Sequence, residues 1–319
     1  MPTILFSAPY MLPALQRFRP VLERHGLELI TPVVEERLEE YEILKYAGQF
    51  EGAICGDDRY TARVLAACVP PLRVISKWGT GVDSIDSAAC ERLGVKLYRT
   101  PNAFTLAVAD SVLGYMLAFA RRLPWMDRAM KAGIWDKIPG RALHECSLGA
   151  VGVGLIGKAV LRRARVFEMK LLGNDIITID PAFIAETGVE MTGLDDLLAR
   201  ADFVSLNCDL NPTSLRLINA RAISLMRPNA VLINTARGPI VDEAALVAAL
   251  EAGTIGGAAL DLFEIEPLPS GSPLRGMENV MLAPHNANSS PAAWERVHWN
   301  TIKNLVEGLG LTYQGLEKD

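Results

Sequence analysis

The sequence predicts an α/β protein with parallel sheets, because short β-branched runs alternate with longer segments of helical periodicity. The chain has 319 residues, of which 50% are hydrophobic and 22% charged. That length suits about two domains. A glycine-rich turn near the middle of the chain follows one such run and opens a helical segment, so the second half is expected to bind a nucleotide.

The first half reads as alternating strands and helices that end in a long, nearly uncharged helical segment. That segment, residues 103–122, is expected to be buried either against a second subunit or within the monomer, and both alternatives remain open. The predicted strands cover residues 3–6, 53–55, 74–76 and 95–98, and the predicted helices cover 13–25, 61–67 and 86–93.

The second half opens with a strand from Leu148 that runs into the turn Gly152-x-Gly154-x-x-Gly157 and a helix over 158–167. Glycines let the backbone turn sharply and approach a pyrophosphate, whose charge then faces the helix start. A second strand, 170–175, ends in Asp175, about 20 positions beyond the turn, where a ribose-binding acid belongs.

The choice of ribose ligand and of cofactor depends on the residues after that strand. Asp180 is the alternative to Asp175 if the strand continues through residues 176–180. No lysine or arginine lies between Asp175 and Thr187 to accept a 2′-phosphate, so NAD is predicted rather than NADP.

Three short signatures downstream carry reactive side chains. Arg237 lies in Asn-Thr-Ala-Arg-Gly, Glu266 in Asp-Leu-Phe-Glu-Ile-Glu-Pro, and His285 in Pro-His-Asn-Ala. A guanidinium can hold a carboxylate and polarise a ketone, an imidazole can exchange a proton, and a carboxylate can orient that imidazole. Glu264 is the alternative orienting acid. Together the signatures predict a hydride-transfer enzyme for small 2-oxo or 2-hydroxy acids.

Composition excludes several other classes of partner. The formal net charge is −5, so nucleic acid is not an expected partner. No apolar run approaches the roughly 20 residues that span a bilayer, so no membrane association is expected. The five cysteines show no C-x-x-C spacing and no Cys/His cluster, so a cytoplasmic location and no metal site are expected.

From the Trp-Gly-Thr-Gly-Val-Asp-Ser-Ile-Asp run at 78–86 through His285, the chain resembles the D-isomer-specific 2-hydroxyacid dehydrogenase family. That family contains phosphoglycerate dehydrogenases and glyoxylate/hydroxypyruvate reductases. The resemblance implies a Rossmann-type NAD-binding domain, residues 99–285, inserted into a flavodoxin-like substrate-binding domain, residues 1–98 plus 286–319. It also implies a homodimer built around the cofactor domain.

The resemblance assigns roles to individual residues. Arg237, Glu266 and His285 match the family's catalytic positions, and Asp261 matches the residue that accepts a hydrogen bond from the nicotinamide carboxamide, with a turn cap as the alternative. The backbone amides of the loop from Trp78 through Gly79, Thr80 and Gly81 would receive the substrate carboxylate, unless the loop is only a turn. The cofactor-lining positions are Gly152, Gly154, Leu155, Ile156, Gly157, Asp175, Cys208, Thr235, Ala236, Asp261 and Ala287.

Departures from the family pattern bear on the substrate. Leu155 stands where many members have an arginine, and the run Cys-Gly-Asp-Asp-Arg at 55–59 replaces an arginine that holds substrate phosphate in phosphoglycerate dehydrogenases. Arg59 or Lys77 could substitute, but two adjacent acids disfavour a phosphate. Three further residues at helical spacing either shape the substrate pocket or pack the last helix: Trp294, His298 and Trp299.

Two other functions fit the same scaffold. A phosphite-type dehydrogenase is one alternative, whereas a formate type is disfavoured because it carries an amide at the position of Glu266. An NAD-sensing, corepressor-like binding protein is the alternative from a different class.

Overall fold

The computed structural model of the protein describes residues 1–315 and contains two sheets in which every strand pair is parallel. The α/β class expected from the sequence is therefore confirmed. The strands are β1 (Thr3–Phe6), β2 (Glu28–Ile30), β3 (Gly52–Cys55), β4 (Val74–Lys77), β5 (Lys96–Tyr98), β6 (Ser147–Val151), β7 (Lys170–Asn174), β8 (Glu190–Met191), β9 (Phe203–Leu206), β10 (Val231–Asn234), β11 (Gly257–Leu260) and β12 (Val280–Leu282).

Helices alternate with these strands, as crossover connections between parallel strands require. They are α1 (Leu15–Arg24), α2 (Glu40–Ile43), α3 (Ala62–Cys68), α4 (Ser87–Leu93), α5 (Thr105–Arg121), α6 (Leu123–Lys131), α7 (Leu155–Val166), α8 (Pro181–Thr187), α9 (Leu194–Arg200), α10 (Ala220–Leu225), α11 (Glu243–Glu251) and α12 (Pro291–Gly308).

The chain divides into two compact units. Unit 1 comprises Met1–Phe104 and the chain from Ser290 onwards, and unit 2 comprises Thr105–Ser289. The sequence-based boundaries lie a few residues earlier, at 98 and 285. The divisions differ because whole helices go with one unit: α5 begins at Thr105, and Ser290 is the N-cap of α12.

Unit 1 is built on a five-stranded sheet in the order β2-β1-β3-β4-β5. The central strands β3 and β4 are buried throughout, and Cys55 is paired with Lys77 at their carboxyl ends. Helix α12 packs on β4, where the Ser76 hydroxyl donates to the Thr301 carbonyl at 2.8 Å. The carboxyl ends of β1, β3 and β4 therefore meet at one edge of this sheet.

Unit 2 is built on a seven-stranded sheet in the order β12-β11-β10-β9-β6-β7-β8. The chain starts in the middle with β6, moves outward through β7 and β8, and returns to β9 on the other side of β6. Ligands of open α/β sheets bind at the carboxyl ends of the strands where the order reverses in this way. The glycine-rich turn follows β6 at that reversal.

Helix α5 is buried within unit 2. Val112 and Met116 are fully buried in the same core cluster as Leu148 of β6 and Val160 of α7, whereas Leu106 is 63% exposed. Burial within the monomer accounts for most of this nearly uncharged helix.

Most predicted elements coincide with observed ones, and the exceptions are short. Strands β2 and β8 have three and two residues, too few for a hydrophobic period to be visible. The continuation of β7 through residues 176–180 is absent, because β7 ends at Asn174.

Candidate active site

The glycine-rich turn after β6 is shaped by close backbone contacts. Gly152 has a φ of +88°, and a Cβ there would lie 2.6 Å from the backbone nitrogen of Cys208. A Cβ at Gly157 would lie 2.0 Å from the carbonyl oxygen of Gly152, whereas one at Gly154 would meet nothing within 4 Å. The outer glycines are thus required for packing, and Gly154 leaves open space at the start of α7. Such a turn can accommodate a pyrophosphate.

Asp175 and Asp180 have different surroundings. Asp175 follows β7 and accepts hydrogen bonds from the backbone N–H groups of Val153 (2.6 Å) and Ile177 (3.1 Å). Its carboxylate therefore lies against the glycine-rich turn. Asp180 instead caps α8 and accepts from the backbone N–H of Ala182 at 2.9 Å. The structure brings Asp175, and not Asp180, to the predicted cofactor turn.

Apolar side chains flank this turn on the surface of unit 2. Leu155, the first residue of α7, is 58% exposed, and Ile176 and Ile177, directly after Asp175, are 79% and 65% exposed. These three apolar side chains lie beside the acid that is predicted to bind the ribose; they would suit an adenine ring and offer no cation to a 2′-phosphate.

The turn after β10 holds Arg237. Asn234 is almost fully buried; its side chain accepts from the N–H of Ala236 (3.0 Å) and donates to the carbonyl of Arg237 (2.9 Å). A Cβ at Gly238 would lie 1.9 Å from the carbonyl oxygen of Phe263, so the turn is packed directly against the segment after β11. Arg237 therefore projects from a constrained turn at the carboxyl end of β10.

The other predicted cofactor positions are spread over the same end of unit 2. The buried hydroxyl of Thr235, next to Arg237, has no hydrogen-bond partner within residues 1–315. Buried polar atoms are normally paired, so this hydroxyl could be satisfied by a bound ligand. Ile156 and Cys208 are half-buried at the glycine-rich turn, and Ala287 is 5% exposed.

Glu266 and His285 are brought together from the loops after β11 and β12. Glu266 accepts from the backbone N–H of Phe263 at 3.1 Å, and its other oxygen lies 3.5 Å from His285 Nδ1. The backbone N–H of His285 donates to the carbonyl of Asp261 at 2.9 Å, and His285 has a φ of +52°. A left-handed conformation is uncommon for a residue other than glycine and is found repeatedly at functional sites.

Glu264 faces a different part of unit 2. One of its oxygens accepts from the backbone N–H of Glu243 at 3.3 Å and lies 4.0 Å from the guanidinium of Arg216. Its own N–H donates to the Glu243 carboxylate at 3.1 Å. Of the two glutamates in this loop, the structure places only Glu266 beside His285.

Asp261 caps the turn that carries His285. Its two carboxylate oxygens accept from the backbone N–H groups of Asn286 (2.7 Å) and Ala287 (2.8 Å), and the residue is 1% exposed. Burial raises the pKa of its carboxyl, and the two backbone hydrogen bonds oppose that rise. The turn-cap alternative is therefore the role that the structure shows, and the contact with a nicotinamide carboxamide stays a prediction.

The predicted substrate loop of unit 1, Trp78–Gly81, directly follows β4. Its first three carbonyls accept from Lys77 Nζ (3.0 Å), the backbone N–H of Thr100 (2.8 Å) and Arg99 Nη1 (3.2 Å). The backbone N–H groups of residues 79–81 donate to no protein acceptor in the described part of the chain. Gly79 has a φ of +117°, which favours glycine. A loop with occupied carbonyls and available amides can bind an anion.

Aromatic side chains surround the first residue of this loop. The Trp78 indole N–H donates to His298 Nδ1 at 2.9 Å, and the ring centroids of Tyr10 and Trp294 lie 5.1 and 5.7 Å from that of Trp78. Burial lowers the pKa of His298, which keeps the imidazole neutral and able to accept. His298 and Trp294 thus contact the substrate loop, whereas Trp299 packs on Phe18, with ring centroids 5.1 Å apart.

Charged residues lie at the carboxyl ends of β3 and β4, where this loop begins. Lys77 Nζ lies 3.0 Å from the Asp57 carboxylate, and the lysine side chain is only 5% exposed. Asp58 is fully buried and turned inward, where it accepts from the Ser7 hydroxyl and, at 2.8 Å, from the backbone N–H of Leu38. The sequence indicated these residue types but not that Lys77 and Asp57 form a pair.

Residues 1–315 contain neither a metal-binding cluster nor a helix suited to a bilayer. No group of three or more histidine, cysteine, aspartate or glutamate side chains has an arrangement that could hold a metal ion. None of the helices there combines the length and apolar character needed to cross a membrane.

Known proteins resemble this chain in sequence and in fold. Residues 113–287 match the sequence model described as "D-isomer specific 2-hydroxyacid dehydrogenase, NAD binding domain". A glyoxylate reductase of Thermofilum pendens is 40% identical over 255 residues, which cover 78% of this chain and 75% of that protein. A D-3-phosphoglycerate dehydrogenase of Methanocaldococcus jannaschii is 40% identical over 226 residues, but these cover 70% of this chain and only 43% of that protein.

Solved structures show the same fold. The D-lactate dehydrogenase of Aquifex aeolicus, crystallised with NAD and lactic acid, superposes with a TM-score of 0.86 at 26% sequence identity. The match covers 97% of this chain and 95% of that protein's chain. The family resemblance and NAD as the cofactor, both expected from the sequence, are confirmed by these matches. The chain belongs to the D-isomer specific 2-hydroxyacid dehydrogenase family and is an NAD-dependent oxidoreductase that acts on the CH–OH group of donors.

Proposed function

We propose that the protein reduces a small 2-oxo acid to the D-2-hydroxy acid with NADH, and catalyses the reverse reaction with NAD. The pairing of Glu266 with His285, at the carboxyl ends of neighbouring strands β11 and β12, is the observation that carries this proposal. The glyoxylate reductases and phosphoglycerate dehydrogenases among the relatives support 2-oxo and 2-hydroxy acids as the substrate class.

The cofactor is proposed to occupy the turn between β6 and α7. The pyrophosphate would lie against Gly152, Gly154 and Gly157. The Asp175 carboxylate would accept hydrogen bonds from the ribose hydroxyls. Leu155, Ile156, Cys208, Thr235, Ala236, Asp261 and Ala287 complete the proposed cofactor surface. When bound, the nicotinamide supplies or accepts the hydride.

His285 is proposed to exchange the proton. In the reductive direction its imidazolium gives a proton to the oxygen of the 2-oxo group while C2 gains a hydride, and in the oxidative direction the neutral imidazole takes that proton back. Nδ1 is the ring nitrogen near Glu266, so Nε2 is assigned the exchange with substrate. Glu266 stabilises the imidazolium and fixes the ring orientation.

Each unit contains one group that is proposed to bind a carboxylate. The guanidinium of Arg237 offers paired N–H donors that match a carboxylate and can polarise the 2-oxo group. The amides of the loop Trp78–Gly81 offer an uncharged anion site that needs small residues. Arg237 therefore serves in both catalysis and binding.

The proposed function is tested by NADH oxidation, followed by absorbance, with glyoxylate, pyruvate, hydroxypyruvate, 3-phosphohydroxypyruvate, phosphonopyruvate and 2-oxoglutarate. We expect turnover of at least one member, with NADH used in preference to NADPH. Because general acid–base catalysis contributes about 10²–10⁴-fold, His285→Ala should lower kcat by about that factor, and Arg237→Ala should lower kcat/KM at least as strongly. No turnover across the panel despite NADH binding would overturn the proposal.

We also propose that the protein is a cytoplasmic homodimer. Unit 2 exposes apolar side chains on and after α6, with Met130 50%, Ile134 49% and Trp135 84% exposed. Such a cluster favours burial against a second copy. All five cysteines are free thiols, which suits a reducing compartment.

A further inference from the structure

We propose that His298 is a positioning residue for the loop Trp78–Gly81. Its neutral imidazole fixes the Trp78 indole at the start of the loop, and protonation of that imidazole in acid releases the indole and weakens carboxylate binding at the loop. The inference rests on the proposed function, which assigns carboxylate binding to this loop. All the residues that carry it lie in unit 1.

The hydrogen bond between Trp78 and His298 defines the protonation state of the imidazole. An indole N–H can only donate, so His298 Nδ1, which lies 2.9 Å from Trp78 Nε1, must accept. A neutral imidazole has one ring nitrogen that accepts and one that carries hydrogen, so the hydrogen of His298 is on Nε2. An imidazolium would instead turn a second N–H donor towards the indole N–H, and the hydrogen bond would be lost.

Burial makes this acceptor necessary. Trp78 is 3% exposed and His298 is 4% exposed, so solvent does not replace the bond. A buried N–H that loses its acceptor destabilises the arrangement that buries it. The indole also contacts three aromatic rings, since the centroids of Tyr10, Phe104 and Trp294 lie 5.1, 5.5 and 5.7 Å from that of Trp78. The bond to His298 therefore orients the indole within an aromatic cluster.

The indole is covalently joined to the backbone that would bind the anion. Trp78 directly follows β4, and its carbonyl accepts from Lys77 Nζ at 3.0 Å. The carbonyl of Gly79 accepts from the backbone N–H of Thr100 at 2.8 Å. These bonds hold the carbonyls of the loop and leave the N–H groups of residues 79–81 without a protein acceptor in residues 1–315. A displaced Trp78 side chain would move these amides and weaken the anion site.

The groups that face His298 keep the imidazole neutral at neutral pH. Burial lowers the pKa of His298, and the Arg17 guanidinium of α1 acts in the same direction, whereas the Glu295 carboxylate of α12 opposes it. Glu295 already accepts hydrogen bonds from Arg17 (2.7 Å) and Trp299 (2.8 Å). The ring of Phe18, 5.3 Å from the imidazole between centroids, brings no charge. Protonation should therefore occur only below about pH 6.5, the usual value for an imidazole.

NMR of the ¹⁵N-labelled protein tests the link between His298 and Trp78 without turnover. The indole N–H signal of Trp78 is assigned as the one that disappears in Trp78→Phe. In the wild type this signal should shift as the pH is lowered from about 8 to the lowest value at which the protein stays folded, because protonation breaks the hydrogen bond. In His298→Gln it should stay constant, since the amide oxygen accepts but does not titrate.

Trifluoroacetate, a carboxylate that stays ionised in acid, is the probe for the anion site. It is titrated without cofactor and followed through the amide signals of Gly79 and Gly81. At neutral pH, His298→Leu should bind it about tenfold more weakly than the wild type, because a buried donor is left unpaired. His298→Gln should match the wild type at neutral pH and, unlike the wild type, keep that affinity in acid. His25→Gln is the control, because it removes another imidazole of unit 1, one that contacts the backbone of Val21.

Kinetics of the full enzyme give a second readout. His298→Leu should raise the KM for the 2-oxo acid about tenfold and leave kcat nearly unchanged, as expected when a binding contact is lost. The Kd for NADH should not change, because the proposed cofactor site lies in unit 2. If the wild type reduces no 2-oxo acid, the proposed function fails, and the two NMR titrations alone decide the role of His298.

Three results would overturn the inference. An indole signal of Trp78 with the same pH dependence in the wild type and in His298→Gln shows that the imidazole does not control the indole. Equal affinities of the wild type and His298→Leu for trifluoroacetate show that the bond does not position the loop. Unchanged amide signals of Gly79 and Gly81 in the wild type show that the loop is not an anion site. Should His298→Leu fail to fold, the wild type and His298→Gln in acid provide the comparison.

Discussion

At the residue scale, side chains of the same type that lie close in sequence have different roles because their contacts differ. Glu264 and Glu266 are two positions apart in one loop, yet one contacts Glu243 and the other lies beside His285. Asp57 is part-exposed and paired with Lys77, whereas its neighbour Asp58 is fully buried and accepts hydrogen bonds from Ser7 and Leu38. The members of each pair have the same residue type, so only their contacts distinguish their roles.

Glu266→Gln should change the pH dependence of turnover. The amide keeps an oxygen for the backbone N–H of Phe263 but no longer stabilises a neighbouring imidazolium. We expect the pH at which reductive kcat/KM falls to half its maximum to move to lower pH, and kcat/KM at neutral pH to fall about tenfold. Glu264→Gln is the matched control and should leave the profile unchanged. Equal profiles for the wild type and both variants would remove Glu266 from the proposed mechanism.

Asp58 should make the stability of the protein depend on pH. Burial raises the pKa of its carboxyl to about 7, whereas in the unfolded chain an aspartate ionises near pH 4. The folded state therefore holds the Asp58 proton more tightly than the unfolded chain does. The stability that this proton contributes is lost as pH rises between about 4 and 7. Relative to Asp58→Asn, the free energy of unfolding of the wild type should fall by about 3 kcal/mol between pH 5 and pH 8.

Urea unfolding of both proteins at several pH values measures this difference. The asparagine keeps an oxygen for the Leu38 N–H and can donate to the Ser7 hydroxyl, so the variant should fold. Parallel pH dependences of the two proteins would show that Asp58 is ionised in the folded state.

At the element scale, backbone contacts position the reactive groups. Strand β6 and helix α7 approach closely because Gly157 has no side chain, and the turn after β10 lies against the segment after β11 because Gly238 has none. Strands β10, β11 and β12 are neighbours, so the loops that carry Arg237, Glu266 and His285 leave the same edge of one sheet. The sequence predicted these residues individually, and the sheet order explains why their loops lie at one edge of the sheet.

Alanine substitutions at two glycines of the cofactor turn should have different effects. A Cβ at Gly157 would lie 2.0 Å from the Gly152 carbonyl oxygen, so Gly157→Ala should lower the free energy of unfolding by about 2 kcal/mol or more. A Cβ at Gly154 meets nothing within 4 Å, so Gly154→Ala should keep that stability but weaken NADH binding by filling the space proposed for the pyrophosphate. Urea unfolding and NADH titration measure the two effects, and equal stability losses would contradict the packing argument.

At the scale of the whole molecule, each unit has its own parallel sheet and its own core, and one unit is formed by two separated parts of the chain. Helix α5 buries most of its apolar surface in the core of unit 2, so its composition does not by itself require a second subunit. The exposed residues on and after α6 provide the stronger argument for a dimer.

The proposed dimer predicts a specific effect of surface substitutions. Ile134→Ser/Trp135→Ser removes two exposed apolar side chains and should raise the dimer dissociation constant at least tenfold, since large aromatic residues dominate interface energies. Val33→Ser is the control, because Val33 is 94% exposed in unit 1 and lies outside the cluster. Sedimentation velocity over a range of concentrations measures the association. A wild type that remains monomeric at every concentration refutes the proposed dimer.

The sequence by itself determined the α/β class, the family and the cofactor, because these depend on local patterns: hydrophobic periodicity, a glycine spacing and short signatures. Only the tertiary structure decided which of two close acids contacts His285, that Asp175 rather than Asp180 reaches the glycine-rich turn, and that Asp57 forms an ion pair with Lys77. It also decided that Trp294 and His298 contact Trp78. These contacts join residues on different strands, loops and helices, so they depend on sheet order and register, which no local pattern specifies.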